Sequence, residues 1–534
     1  MKHLVAILAL LAPAAAQAAR PADYLVSQFA AHRGDLPLAA SKMQGALDAD
    51  PSSAELREDA FVLAVLAGSP EAQRLAHTLP ENPLAQLLLA AGAARAGQWQ
   101  TAELGLAELP HQPLADALRP LLLAWTQQAQ GLADRAMDTL QPALGGSTLG
   151  TIALLHAALI ADASHRDGLA QRLYADLAHG QAKPSLQFGQ IMASWQARSG
   201  DMTAARASIA AIVQASPELA IAQPGLVAAL AHAQPPSAPR GMALVLVEVA
   251  AASAGEHDHD VGDLLVKVAL TLQPEMTEAH LLASEIASAH QQWRTAAAEL
   301  EGMSASDPLA PVVRMRLASL YTRDGRMPEA VSVLTTLAAA YPDRPEPLAA
   351  LADTLIGQNK FADAVGAYDR AIALMPHPAA GDWGIFYARG AALERLHEWP
   401  RSQADMNRAL ELSPDQPAVL NFLGYSMADR NQNLPAAEDM IERALHARPN
   451  DGAIVDSLGW VKLRLGDTRA ALRLLEHAAE LEPEDPSITG HLGDAYWTAG
   501  RHLEAQDQWR RALVLKPDPD EQARIEGRLK STPP

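Results

Sequence analysis

Residues 486–517 read PSITGHLGDAYWTAGRHLEAQDQWRRALVLKP. Small residues stand at Gly493, Gly500, Ala505 and Ala512, large ones at Leu492, Tyr496 and Trp509, and Pro517 closes the stretch. About 34 residues earlier the same slots hold Leu458-Gly459, Lys462, Gly466, Ala471, Leu475, Ala478 and Pro483. A further step back crosses a one-residue insertion near Asn433. It gives Leu423-Gly424, Met427, Ala437, Ile441, Ala444 and Pro449. Gly390, Ala409 and Pro414 continue the series, as do Leu351, Ala364, Tyr368, Ala371 and Pro376, then Tyr321, Gly325, Ala330 and Pro342.

Each unit predicts two short amphipathic helices. Small residues such as Gly459 and Ala471 let the paired helices approach closely. Gly466 and Gly500 sit where a helix ends in the left-handed region. Pro483 and Pro517 stop the second helix, because proline cannot continue it. Leu475 and Trp509 fill the gap between units. One unit cannot bury its own apolar face, so the units must stack. The pattern resembles the tetratricopeptide repeat (TPR) family, whose unit is W-x2-L-G-x2-Y, then A-x3-F, then P. That resemblance implies an all-α fold, a TPR α-solenoid winding as a right-handed superhelix.

The same phase runs more faintly toward the N-terminus. Gly34, Ala39, Met43, Ala46 and Pro51 match, as do Gly97 with Ala102 and Gly200 with Ala205 and Pro217. Units near 54–82, 83–113, 114–145 and 150–184 are degenerate. Residues 1–18 read as a cleavable export signal: Lys2, an apolar run from Leu4 to Leu11, and Ala16-Gln17-Ala18. The expected organisation is therefore a signal peptide over 1–18 and a degenerate N-terminal TPR solenoid over 19–233. A Pro-rich break over 234–242, a C-terminal TPR solenoid over 243–517 and a tail over 518–534 follow.

Length, 534 residues, then counts stacked units instead of ordinary domains. The chain has no cysteine. That excludes disulfides, thiolate metal sites, a Cys nucleophile and a lipid-bearing N-terminal Cys. Formal net charge is −20, which argues against general nucleic-acid binding. The charge is uneven: net −4 over 1–240 and net −16 over 241–534. A solvated outer face accounts for it, and an acidic groove for a basic partner is the alternative.

Catalytic motifs are absent: no GxGxxG, P-loop, HExxH or G-x-S-x-G occurs. His377 and His491 stand alone in the sequence. Glu256-His257-Asp258-His259-Asp260 is the one metal-like cluster, with His257 and His259 as weak candidate ligands. A polar, solvated turn between two helices is the preferred reading. No cofactor, no nucleic acid and no transmembrane segment in the mature chain are expected.

In a TPR stack the first helix of each unit lines the concave face. Slots there that packing does not use present Asp353, Tyr387, Asn421, Tyr425, Asp429, Asp456, Trp460, Arg464, Asp494 and Trp497. Tyr, Trp and Arg are the types enriched at binding hot spots. Trp460 and Trp497 could instead pack between units as core. Of the Lys and Asn that hold a ligand carboxylate in some family members, only Asn421 stands in these slots.

Three motifs go beyond the generic repeat: Leu420-Asn421-Phe422-Leu423-Gly424-Tyr425-Ser426, Ile454-Val455-Asp456-Ser457-Leu458-Gly459-Trp460, and His491 to Trp497 with Gln508 to Leu513. With Asp23-Tyr24-Leu25 and Arg33-Gly34-Asp35-Leu36 they resemble exported bacterial TPR proteins, including the lipoprotein partner of a carboxyl-terminal processing protease. That resemblance implies a non-enzymatic periplasmic adaptor that binds the protease and delivers peptidoglycan hydrolases to it. The missing lipobox Cys implies a soluble form. Two other expectations stand beside it: a scaffold for exopolysaccharide assembly or export, and a metal-dependent enzyme built on His257 and His259.

Overall fold

The computed structural model describes residues 21–145, 148–180, 185–254 and 259–531. The signal-like stretch 1–18 and His257 lie outside them. Among the described residues there are 30 α-helices and no strand. The all-α solenoid expectation holds. The chain divides into two compact units, Met1–Leu337 and Ala338–Pro534.

In the C-terminal unit the helix pairs keep the sequence period. First helices run Glu346–Ile356, Trp383–Arg395, Pro417–Asp429, Gly452–Arg464 and Pro486–Thr498. Their partners are Phe361–Ala373, Trp399–Leu412, Leu434–Ala447, Thr468–Leu481 and His502–Val514. Asp451, Asp467 and Asp485 cap helix starts, their carboxylates accepting backbone N–H bonds of the first turn. Gly466 and Gly500 take φ +87° and +79° between paired helices. The insertion near Asn433 is absorbed by two left-handed residues, Asn431 and Asn433.

Packing explains the small-residue slots. A Cβ on Gly459 would lie 2.7 Å from Leu475 Cγ, and one on Gly493 would lie 2.5 Å from Trp509 Cδ1. Leu475 and Trp509 are themselves fully buried, with Ala471, Ala478, Ala505 and Ala512 around them. A larger residue at either glycine would push the paired helices apart.

The stretch 518–534 is not a plain tail. Pro519–Ser531 forms a further helix that buries Ile525. Asp518-Pro519 starts it as Asp485-Pro486 starts the helix one unit earlier: Asp518 Oδ1 accepts the Glu521 N–H.

The N-terminal unit is built differently. First helices Ala54–Leu66, Pro83–Arg95, Pro113–Ala129 and Thr148–Ala163 do not leave an open inner face. Helices Ala238–Ala254 and His259–Leu272 pack onto them, the former on Pro113–Ala129 and Thr148–Ala163, the latter on Ala54–Leu66 and Pro83–Arg95. A single apolar core runs from Ala30 to Ile286 as a result. Gly241 permits the insertion, since a Cβ there would meet the Trp125 ring at 2.2 Å. Thr295 Oγ1 donates to the Gly34 carbonyl at 2.7 Å, tying the two ends of this arrangement together.

This corrects the expected break over 234–242. Pro235 and Pro236 do lack helix, but Ala238 already starts one. That helix buries Leu244, Val245 and Leu246 inside the first unit. The proline run is an internal entry to the inserted pair, and the compact units divide about a hundred residues later, after Leu337.

Candidate protein-binding face

Within the C-terminal unit, first helices touch first helices of adjacent units, so they form the inner layer. Spacing at i, i+4 and i+8 puts one residue per turn on that layer. Asn421, Tyr425 and Asp429 share such a stripe on Pro417–Asp429. Asp456, Trp460 and Arg464 share the equivalent stripe on Gly452–Arg464. Tyr387 and Arg395 lie on the stripe of Trp383–Arg395.

The structure brings the middle of this face together around His491, which as a titratable group stands alone in the sequence. Its Nδ1 lies 2.9 Å from Asp456 Oδ2. Its ring stacks on Trp460 at 4.3 Å between centroids. Its Nε2 faces the Tyr425 hydroxyl at 3.5 Å. Burial lowers the His491 pKa, but the Asp456 carboxylate outweighs it and holds the imidazole above its ordinary value. Burial, then the Asp429, Asp456 and Glu521 carboxylates, push the Tyr425 phenol well up.

The named residues therefore fall into three groups. Asp456, Trp460 and Asp494 are buried. Asp494 accepts from Trp509 Nε1 at 3.1 Å and pairs with Arg524, so it offers no free carboxylate. Trp460 is only 6% exposed. The reading of Trp460 as packing and the reading of it as groove meet here: it floors the face instead of projecting from it.

Tyr387, Asn421, Tyr425 and Trp497 are half-buried. Tyr387 meets Phe422 edge-on at 5.8 Å and Trp383 at 6.1 Å. Trp497 lies against His502 and Trp509, away from the His491 cluster. Asp429 and Arg464 are exposed. Arg464 donates to the Asp429 carbonyl at 3.2 Å, and its guanidinium lies 5.7 Å from the Trp460 ring. Asp353 is also exposed and accepts from the Tyr368 hydroxyl.

Two polar atoms on this face have no hydrogen-bond partner although both are buried: Trp460 Nε1 and Asn421 Oδ1. Native interiors leave few such groups, and each is expensive.

Sequence reasoning missed His491 and Arg524. His491 lies 35 residues beyond Asp456, one repeat and one residue, which is the signal that could have found it. Arg524 was hidden by ending the repeats at Pro517.

Among the described residues no group of three His, Asp or Glu could hold a metal ion. His259 opens a helix, and His257 is not described. No described helix is long and apolar enough to cross a membrane. A cavity of about 400 Å3 lies in the N-terminal unit beside Gln187, Gln190, Arg198 and Arg240. Both of its arginines are engaged, Arg198 with Asp162 and Arg240 with Glu278.

Tetratricopeptide repeat models match residues 287–354, 387–452 and 457–521. The chain carries tetratricopeptide repeats. A TPR repeat-containing protein of Pseudomonas aeruginosa is 28% identical over 182 residues, 34% of this chain. The match spans 30% of that relative's length, so the chain covers under a third of it. A tetratricopeptide repeat protein from Parabacteroides merdae is similar over 46% of this chain and 95% of its own, at 14% identity and TM-score 0.38. A chain of the APC/C hetero-tetramer Cut9–Hcn1 is similar over 94% of this chain and 95% of its own, at 14% identity and TM-score 0.40.

Proposed function

We propose that this chain is a non-enzymatic protein-binding scaffold that works through the inner face of its C-terminal unit. Tetratricopeptide repeats imply protein–protein interaction, and the open question is where. One observation carries the assignment to this face: half-buried Tyr387, Asn421 and Tyr425 surround a floor whose Trp460 N–H and Asn421 carbonyl oxygen lack partners. A polypeptide segment supplies both missing partners, a carbonyl for the indole and an N–H for the amide. Aromatic surface beside it supplies burial at low entropy cost.

The finer reading places the chain in the bacterial envelope. There it is an adaptor between a carboxyl-terminal processing protease and peptidoglycan hydrolases. It rests on the export-like residues 1–18 and on the likeness of the three C-terminal motifs. Capture on the full chain under native conditions tests it. Enrichment of a protease and a cell-wall hydrolase is expected, reduced by about tenfold in a Tyr387→Ala, Tyr425→Ala double variant that keeps its helix content. Capture of neither class sinks the adaptor reading. Undiminished capture by the variant sinks the face.

A further inference from the structure

The C-terminal helix Pro519–Ser531 holds its own shape and is held down by few side chains. Asp518 caps it and Pro519 starts it. Glu521 pairs with Arg524, Gln522 with Glu526, and Glu526 with Lys530, all at helical spacing. Against the rest of the unit it buries one side chain completely, Ile525. Leu529 is half-buried against the same apolar cluster, and the other anchors are ionic. Arg524 and Arg528 both reach Asp494, and Asp518 reaches Arg395 at 3.1 Å across 123 residues of sequence. The Asp518–Arg395 pair is exposed, so it contributes little and weakens with salt, whereas the other two are made to a buried carboxylate.

What lies beneath it is shaped for it. Gly490 leaves room where a Cβ would meet Glu521 Oε1 at 2.5 Å and Arg524 Nη2 at 3.1 Å. The Arg524 guanidinium lies 6.0 Å from the Trp460 ring and influences both His491 and Tyr425 electrostatically. Asp494 is a buried carboxylate that requires a cation. In this closed arrangement Trp460 Nε1 and Asn421 Oδ1 remain unpartnered.

We infer that the surface formed by Trp460, Gly490, His491 and Asp494 is a docking site for an amphipathic helix that presents a basic stripe, and that the chain's own C-terminal helix is its resident, displaceable occupant. The occupant shows the chemistry the site takes: an arginine, an apolar residue immediately after it, and a second basic residue four positions beyond the first, as in Arg524, Ile525 and Arg528. A partner helix with that pattern replaces the ion pairs to Asp494. If it continues past the site, it also supplies the groups that Trp460 and Asn421 lack. The buried Asp494 carboxylate favours such a basic stripe. This inference rests on the protein-binding reading of the same face and specifies its partner.

The test uses the full chain and a labelled synthetic peptide of residues 518–531. Ile525→Asp removes the one fully buried side chain of the resident helix. This variant is expected to bind the peptide about tenfold more tightly than the wild-type chain, and adding Asp494→Asn abolishes the gain. A scrambled peptide should not bind. Circular dichroism checks that each variant keeps its helix content. Arg395→Ala, which breaks the exposed pair with Asp518 and a guanidinium contact with the Phe361 ring, serves as the gentler release. It should raise peptide affinity by about twofold to fivefold at low salt, and the difference should vanish near about 0.5 M salt. Equal binding to the wild-type and released chains, or binding that survives loss of Asp494, overturns the inference. The peptide reads the site without any natural partner. Peptide binding as expected with capture unaffected by Tyr387→Ala, Tyr425→Ala therefore refutes the proposed function and leaves the docking site standing.

Discussion

Each unit buries a tryptophan beside a histidine, Trp125 with His156 and Trp460 with His491, and the two pairs are finished differently. In the N-terminal unit the Trp125 N–H donates to His156 Nδ1 at 3.0 Å. His156 Nε2 meets Glu248 at 3.2 Å, and Glu248 in turn accepts from Gln187. Every polar atom in that chain has a partner, and the carboxylate comes from an inserted helix, Ala238–Ala254. In the C-terminal unit Trp460 stacks flat on His491, the carboxylate comes from the adjacent repeat, and the indole N–H is left over. The lesson is that an inner face of stacked helix pairs is stable in two ways. It can be filled from within and satisfied, or left with unmet hydrogen bonds that a visitor can meet.

The largest expected effect lies on the filled side. Trp125→Ala should cost about 3–5 kcal/mol, because a fully buried indole leaves a cavity under the inserted helix. Hydrogen exchange should show Pro113–Ala129 and Ala238–Ala254 loosening together. Independent loosening would mean the inserted helix does not depend on that face.

A subtler pair of substitutions gives opposite signs. Trp125→Phe strands His156 Nδ1 in a dry core and should destabilise by about 1–3 kcal/mol. Trp460→Phe keeps a ring on His491 and removes the orphan N–H. It should leave stability unchanged or raise it by up to about 1 kcal/mol. Denaturation followed by exchange of each helix checks both, and equal losses would erase the contrast.

A smaller effect comes from pH. The folded His491 pKa is raised, burial opposing and Asp456 prevailing, with Arg524 and Glu521 also facing it. A raised folded value means the stabilisation is fully present below the unfolded histidine value, about 6.5, and is lost as pH rises through the folded value. The Gly452–Arg464 and Pro486–Thr498 helices should therefore exchange faster on going from mildly acidic to mildly alkaline buffer. Asp456→Asn should remove that part of the dependence. His280, raised in the N-terminal unit where Glu299 overcomes burial, has the same sign, so exchange must be read helix by helix.

The repeat itself was legible because its slots are steric. Gly459 against Leu475 and Gly493 against Trp509 allow few other residues, so they recur at a fixed spacing. The inner stripe was legible for the same reason: Asn421, Tyr425 and Asp429 follow helical geometry. Two things were not. Period gives no curvature, so nothing in the spacing places His491 two repeats beyond Tyr425 at 3.5 Å, or Asp518 beside Arg395. Degenerate repeats also do not announce an insertion. The pairing of Ala238–Ala254 with Pro113–Ala129 depends on contacts over a hundred residues apart, for which Gly241 against Trp125 left no local signal.

Hydrogen exchange of the full chain with and without a partner recovered by native capture tests the account most directly. Added protection should fall on the first helices Trp383–Arg395, Pro417–Asp429 and Gly452–Arg464. Ala54–Leu66, Pro83–Arg95 and Pro113–Ala129 should be unchanged. Protection on those N-terminal helices, or on the outer helices Leu434–Ala447 and Thr468–Leu481 alone, would contradict it.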